Sequence, residues 1–230
     1  MSYELQPKTE AGFKFVSAAE SMIDRLRERA PVADQRSALD AENFSDFHRV
    51  GLTTAFLPES CGGFGLSSIH DWMTGMSRLG RGDGSAGIAI NMHLAVTRGM
   101  SSAWQLAVAS KNQNLTAQME AQFQQLVNGE MYLCATATEP GTDNLHPFTE
   151  ASRVDAGWQI NGTKIFVTGS PVASHVAMNL RMKNESANSG NDEPYSIGSV
   201  MLPMETLGVE PQNDWHAMGM RASGSQSIRF

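Results

Sequence analysis

The chain has 230 residues, 41% hydrophobic and 18% charged, which is enough for one large or two modest globular domains with proper cores. Its formal net charge of -7 argues against a nucleic-acid partner, because such binding relies on clustered cations. The N-terminus lacks the basic start of a signal peptide, and the most apolar run, residues 86–96, is shorter than a spanning helix of roughly 20 residues. We therefore expect no membrane partner, and two cysteines without CxxC spacing favour a reducing, cytoplasmic setting.

The first half of the sequence predicts helices, because its apolar residues recur at helical spacing. We expect Pro31 to end the first helix and Gly51 the second, and Ser68 and Asp71 to form a capping pair at the third. Ser85 is expected to be the N-cap of a buried central helix. The predicted helices cover residues 15–26, 40–49, 72–79, 85–100, 103–110 and 116–127.

The second half changes to the period of two that is typical of strands. Asn161-Gly162 predicts a hairpin, and the polar run 183–193 predicts a long hairpin tip. The predicted strands cover residues 132–138, 151–154, 158–160, 164–168, 176–182 and 196–202. We therefore predict an α+β protein, with an N-terminal all-α domain over residues 1–128 and a small antiparallel β-barrel or sandwich over 129–230.

The chain ends at Phe230 within SQSIRF, an alternating segment that resembles the beginning of a strand. A terminal strand is one interpretation, since a strand can be tied down at a chain end. We expect instead that more protein follows, or that another chain supplies it.

Several short motifs have ordinary structural explanations. The segment Gly63-Phe64-Gly65 lacks the third glycine of a dinucleotide fingerprint. The six histidines show no HExxH or i, i+4 pair, so the sequence predicts no metal site. His93 lies on the central helix, either as a satisfied core histidine or facing a ligand. Glu139 is expected to brace its turn, and no residue is identified as a catalytic acid or base.

Two threonines stand at strand ends where polar groups can meet a ligand. Thr138 precedes the Glu139-Pro140-Gly141 turn, and Thr168 follows Phe166-Val167. Each is also an ordinary β-favouring residue, so neither one alone identifies a site.

Five segments in order resemble the acyl-CoA dehydrogenase superfamily and together span nearly the whole chain. They are LPESCGGFGL at 57–66, LGRGDGSAG with INMH at 79–93, NGEMYLCATATEPG at 128–141, INGTKIFVTG at 160–169, and WHAMGMRASGSQSIRF at 215–230. The resemblance implies a helical domain followed by a β-domain, in agreement with the division above. The family's C-terminal helical bundle, which carries the catalytic base and many subunit contacts, is absent from the chain.

The resemblance further implies an FAD site between the β-domain and the helices. Thr138, helped by the backbone of Ala137, would bind the pyrimidine side of the flavin, Phe166 would pack on the ring, and Thr168 would reach N5. Phosphate contacts would come from Gly141 and Thr142, although the loop EPGTDNLHPF is shorter than in many relatives. The small residues of 84–100, among them Ala89, would line a substrate pocket together with His93, and tight helix packing explains the small residues equally well.

Three functions follow as alternatives. The first is dehydrogenation of an acyl thioester, or another small molecule, with hydride transfer to FAD, for which this chain alone is expected to be incomplete and inactive. The second is a reduced-flavin monooxygenase of the same fold. The third is a non-enzymatic truncated or partner subunit. The resemblance also implies a homo-oligomer, or a partner chain that supplies the missing bundle.

Overall fold

The structure is a computed structural model that describes residues 4–183 and 195–230. The predicted hairpin tip, apart from Lys183, lies outside the described residues. Within these ranges, six α-helices come first and eight strands follow them, which confirms the predicted α+β class. Within the described residues, no helix is both long enough and apolar enough to cross a bilayer.

The helices pack around a core formed by residues such as Phe15, Phe47, Leu79 and Ile90. The central helix α5 contacts the helices on either side and also strand β1. Their bounds are α1 Glu10–Ser21, α2 Ile23–Arg36, α3 Ala41–Arg49, α4 Ile69–Gly82, α5 Gly84–Ala109 and α6 Gln113–Val127, with short 3-10 helices at Glu59–Cys61 and Arg221–Ser223.

Local signals placed several helix ends correctly. The Ser68 hydroxyl accepts the amide N–H of Asp71 at the start of α4, as predicted. Gly51 lies just past α3 with a φ of 80°, the left-handed conformation in which glycine is favoured.

Three helix predictions were wrong. Pro31 lies inside α2 instead of ending it; the ring removes one backbone hydrogen bond, but Leu26 and Ala33 on the same helix remain buried. Ser85 is the second residue of α5, and Asp83 caps that helix by accepting the Ser85 amide. The segment 103–110 is the last part of α5, not a separate helix.

The strands form two sheets, and all six strand predictions are confirmed within three residues at either end. The strand predicted in SQSIRF is also present as β8. The bounds are β1 Leu133–Thr136, β2 Glu150–Val154, β3 Gly157–Asn161, β4 Thr163–Val167, β5 His175–Lys183, β6 Tyr195–Pro203, β7 Glu210–Pro211 and β8 Gln226–Arg229.

The larger sheet is mixed, whereas the sequence predicted an antiparallel one. Strand β6 runs antiparallel to β5, but β1 and β2 both run parallel to β5. Strand β1 pairs with residues 175–178 of β5 and β2 pairs with residues 181–182. The chain therefore leaves the sheet after β1, makes an excursion over residues 137–149, and rejoins the sheet beside the same strand.

The smaller sheet has the order β4-β8-β7. Asn161-Gly162 does not form the predicted hairpin, because β3 pairs with β2 while β4 pairs with β8. At Gly162, which has a φ of 157°, the chain passes from one sheet to the other. Cys134, Val167, Val176 and Ile228 pack between the sheets, and the strands described do not close into a barrel.

Candidate functional site

Hydrogen bonds join the end of β1 directly to β4. The Thr136 hydroxyl donates to the Ile165 carbonyl at 2.9 Å, and the Ile165 amide donates to the Thr138 carbonyl at 3.0 Å. These two bonds bring Ala137 and Thr138 beside the segment that carries Phe166. Residues that the sequence placed 28 positions apart thus share one region of the β-domain.

Phe166 is displayed on the surface by an irregular stretch of β4. The β4–β8 register shifts between Lys164 and Val167, and Phe166 itself has a φ of 55°. A non-glycine residue in this region is uncommon and strained, yet the ring remains 54% exposed. A bulge of this kind turns a side chain out of the sheet. The Phe166 ring therefore stands at the surface, where a ligand can contact it.

Trp215 supports the Phe166 ring from one side. The two rings meet edge to face, with centroids 6.1 Å apart and an interplanar angle of 90°. The indole N–H of Trp215 donates to the Met220 carbonyl at 3.2 Å, which fixes the indole orientation. In the sequence, Trp215 opens the family-like segment 215–230, where no local signal assigns it a role.

Thr168 is buried, and its hydroxyl belongs to a short chain of hydroxyl groups. It lies 2.8 Å from the Ser225 hydroxyl, which in turn lies 2.6 Å from that of Ser223. The Thr168 hydroxyl also donates to the Phe166 carbonyl at 3.4 Å, and because a hydroxyl can donate one hydrogen bond and accept others, it can accept from Ser225 at the same time. Its assignment to flavin N5 stays a prediction.

Gly141 and Thr142 lie on the excursion between β1 and β2. Gly141 has a φ of 80° and nothing within 4 Å of the position where a Cβ would stand. The Thr142 hydroxyl donates to the His146 carbonyl, so it stabilises the loop. The backbone here is open to a ligand, and the phosphate contacts predicted for both residues stay a prediction.

Glu139 braces this turn, as the sequence suggested, through a buried ion pair that the sequence did not reveal. Its carboxylate accepts the amides of Phe148 and Thr149 at 2.7 and 3.0 Å and pairs with the Lys164 ammonium at 2.5 Å. Burial works against the charged form, but these donors outweigh it and leave the pKa of Glu139 below its ordinary value. No local signal links Glu139 to a lysine 25 residues away.

A cleft of about 390 Å³ opens between α5 and the outer face of the larger sheet. Alternate residues of a strand face opposite sides, so Ala177 and Asn179 face this cleft while Val176 lies in the core between the sheets. The lining side chains are small or uncharged: Met92, Ala135, Thr136, Ala137, Ala177, Met178, Asn179 and Ser199. Ala137, assigned to the cofactor by resemblance, is among them.

His93 and Ala89 occupy the core of the structure. The His93 ring is fully buried, with Nε2 2.8 Å from the Thr53 carbonyl and Nδ1 accepting the Leu133 amide at 3.0 Å. A carbonyl only accepts, so Nε2 carries the proton. His93 is thus a satisfied core histidine that joins α5 to β1, and the substrate-pocket assignment of both residues stays a prediction.

Metal ligation receives no support from the described part of the chain, where no three His, Cys, Asp or Glu side chains cluster closely enough to hold an ion. Cys134 is buried between the sheets, and burial raises the pKa of its thiol to about 12. This thiol is therefore protonated at neutral pH and is a poor nucleophile.

Comparisons with known proteins agree with this architecture. Residues 133–230 match the family model for the acyl-CoA dehydrogenase middle domain. The amino sugar nitrososynthase DnmZ of Streptomyces peucetius is 26% identical over 226 residues, which cover 98% of this chain and 52% of DnmZ. The putative acyl-CoA dehydrogenase YdbM of Bacillus subtilis strain 168 is 26% identical over 211 residues, or 90% of this chain and 50% of YdbM.

Among solved structures, KijD3 in complex with FMN and dTDP-3-amino-2,3,6-trideoxy-4-keto-3-methyl-D-glucose superimposes with a TM-score of 0.84 at 24% identity, covering 99% of this chain and 52% of KijD3. The chain spans about half the length of the curated relatives it matches. Residues 133–230 match the acyl-CoA dehydrogenase middle domain, and the chain as a whole shares the fold of butyryl-CoA dehydrogenase from Megasphaera elsdenii, with a TM-score of 0.75 at 22% identity, covering 100% of this chain and 57% of that chain.

Proposed function

We propose that this chain is the cofactor-binding portion of a flavin-dependent oxidoreductase, with a helical domain over residues 1–128 and a β-domain over 129–230. The observation that carries the proposal is the pair of hydrogen bonds between the end of β1 and Ile165. It gathers Ala137, Thr138 and Phe166, three of the residues assigned to the flavin ring, in one region.

The residues of this region suit a flavin. The half-exposed Phe166 ring offers a flat apolar surface, and ring faces of this kind stack on other planar systems. Ala137 and Thr138 combine a small side chain with a polar one. Gly141 leaves its backbone approachable, which a phosphate requires. FAD is the cofactor implied by the family resemblance, and FMN is the flavin bound by KijD3.

A bound flavin would supply the redox chemistry by accepting or donating an electron pair. The chain's own residues would orient it and shape the adjoining cleft. Phe166, held by Trp215, would fix the plane of the ring, while Thr138 would hydrogen-bond its polar edge. The small side chains Ala135, Ala137 and Ala177 leave room for a substrate beside the ring.

Two reactions are candidates for the whole protein. We favour a reduced-flavin monooxygenase acting on an amine of a small molecule such as an amino sugar, because DnmZ matches along nearly the whole chain and the KijD3 complex holds an amino sugar nucleotide. The family model and YdbM favour the second candidate, dehydrogenation of an acyl thioester with hydride transfer to FAD.

The two candidates differ in how the flavin is reduced and reoxidised. With the full protein, we expect oxygen consumption and oxidation of an amino sugar nucleotide that depend on supplied reduced flavin. Bleaching of bound oxidised FAD by an acyl-CoA without oxygen would instead establish the dehydrogenase and reject the monooxygenase.

The third alternative, a non-enzymatic partner subunit, is tested by two further observations. A coding sequence that continues in frame past Phe230 into helices would contradict the partner-subunit alternative. Failure of the full protein to bind FMN or FAD in equilibrium dialysis would contradict the proposed function and favour a structural partner.

A further inference from the structure

A buried lysine lies beneath the loop that carries Gly141 and Thr142. Lys164 has no exposed surface, and its ammonium contacts only the Glu139 carboxylate, at 2.5 Å, and the Asn179 side-chain oxygen, at 2.7 Å, among the hydrogen bonds that the described residues show. Taking such a pair out of water is costly unless every group is satisfied. Apolar residues of similar volume would often stabilise a core equally well, so stability alone does not account for the pair.

Glu139 closes the loop on itself. The residue stands at the start of the excursion, and its carboxylate accepts the amides of Phe148 and Thr149 at the other end. The two ends of residues 140–148 are therefore bound to one side chain, and Lys164 holds that side chain in place from β4.

Asn179 connects this arrangement to the middle of the loop. Its oxygen accepts from Lys164, while its amide nitrogen donates to the Asn144 carbonyl at 2.7 Å. Asn179 also faces the cleft, beside Ala137 and Ser199. One side chain thus contacts the buried cation, the loop and the cleft.

We propose that Asn179, with Lys164 and Glu139, is a set of positioning residues that holds loop 140–148 in the shape that receives the phosphate of a flavin nucleotide. The proposal rests on the proposed function. Its physical basis is preorganisation: a loop already fixed in its bound shape loses little conformational entropy when the ligand binds. None of the three residues needs to touch the phosphate.

The experiment compares FMN with riboflavin, which has the same ring and lacks the phosphate. The variant Asn179→Asp keeps the oxygen that accepts from Lys164 and loses the donor to Asn144. With the full protein, we expect N179D to weaken FMN binding about tenfold, as the loss of one such hydrogen bond allows, and to leave riboflavin binding unchanged within about twofold.

Two further variants keep the test decisive. Ser196→Ala alters an exposed residue of the same strand β6, opposite Met182 in the register and outside the cleft lining, and is expected to change neither affinity. Asn179→Ala removes both contacts and replaces N179D if the new carboxylate prevents folding. Hydrogen exchange of the 140–148 amides should accelerate in either Asn179 variant and not in S196A.

The outcomes separate this inference from the proposed function. Equal loss of FMN and riboflavin affinity in N179D, or no loss of either, would overturn the positioning role. If the unaltered protein binds no flavin, the proposed function fails by itself, and unchanged exchange of the loop amides in N179D would then reject the ordering of the loop independently.

Discussion

Phe166 combines backbone strain with a proposed ligand-binding role in a single residue. Its φ of 55° suits glycine, yet an aromatic ring occupies the position and stands half-exposed against Trp215. Strain at an active site is retained when the surrounding structure imposes it. We interpret the ring as present for its ligand-facing surface and not for the stability of β4.

Two substitutions separate the ring from the backbone strain. Phe166→Ala removes the ring and keeps the backbone strain, whereas Phe166→Gly removes both. We therefore expect the free energy of unfolding of F166G to exceed that of F166A by about 1 kcal/mol. Both variants should lose flavin affinity equally, because neither has the ring. Urea denaturation and flavin titration measure the two effects. Equal stability of the two variants would contradict the strain.

His93 gives the protein a pH dependence in the acidic range. Burial, opposed in part by the Thr53 carbonyl, lowers its pKa from 6.5 to about 4. Between these values the unfolded chain binds a proton that the folded protein excludes, so stability is greatest above about pH 6.5 and is lost as the pH falls toward 4. The loss is on the order of 3 kcal/mol.

The variant His93→Gln tests this assignment. Glutamine keeps a donor and an acceptor and does not titrate, so the stability of H93Q should fall less steeply between pH 6.5 and 4 than that of the unaltered protein. Chemical denaturation at several pH values measures the slopes. Identical slopes would mean that His93 is not the group responsible.

At the scale of elements, α1 and α4 approach closely because a glycine lies where they meet. A Cβ at Gly12 would stand 2.1 Å from the Asp71 carboxylate, which itself accepts the amides of Lys8 and Thr9. Burial works against the charged form of Asp71, but the donors from His70, Thr9 and Lys8 lower its pKa to about 2. The contact thus joins the N-terminal segment to α4 over more than sixty residues.

We therefore expect Gly12→Ala to destabilise the protein by about 1–3 kcal/mol, the usual result of overpacking a filled core. Gly99→Ala, in α5 with nothing within 4 Å of the new Cβ, should stabilise it by about 0.5–1 kcal/mol because alanine favours a helix. Thermal unfolding of both variants tests the pair. A destabilisation of similar size in G99A would show that the Asp71 contact is not the cause.

Local patterns predicted most of the elements, but not how they are assembled. The alternation of apolar residues placed β5 correctly, and the capping pair placed the start of α4. Each of these signals lies within a few residues of the element that it predicts. They did not reveal that β4 joins β8 instead of β3, since strand partners distant in sequence are chosen by packing. For the same reason, the sequence identified Glu139 as a brace and missed Lys164 and Asn179.

In the whole molecule, one line of hydrogen bonds connects the central helix α5 to the loop 140–148. His93 fixes α5 to β1, the end of β1 is bonded to β4, and Lys164 on β4 holds the loop through Glu139. The cleft lies beside this line, between Met92 of α5 and the outer sheet face. The helices therefore fix the position of the sheet edge where the flavin is proposed to lie.

An apolar hollow on the helical side leads to the last prediction, that the 230-residue chain self-associates. The hollow, about 240 Å³ between α4 and α5, is lined by Met73, Met76, Ile88, neighbouring glycines and one polar side chain, Asn91. Met73 and Ile88 are exposed, and contiguous exposed apolar surface favours association.

Ile88→Lys should shift the chain toward monomer in light scattering, whereas Leu106→Lys, which alters a 70% exposed side chain farther along α5, should not. A monodisperse monomer without substitution, or equal effects of I88K and L106K, would show that this hollow does not drive association.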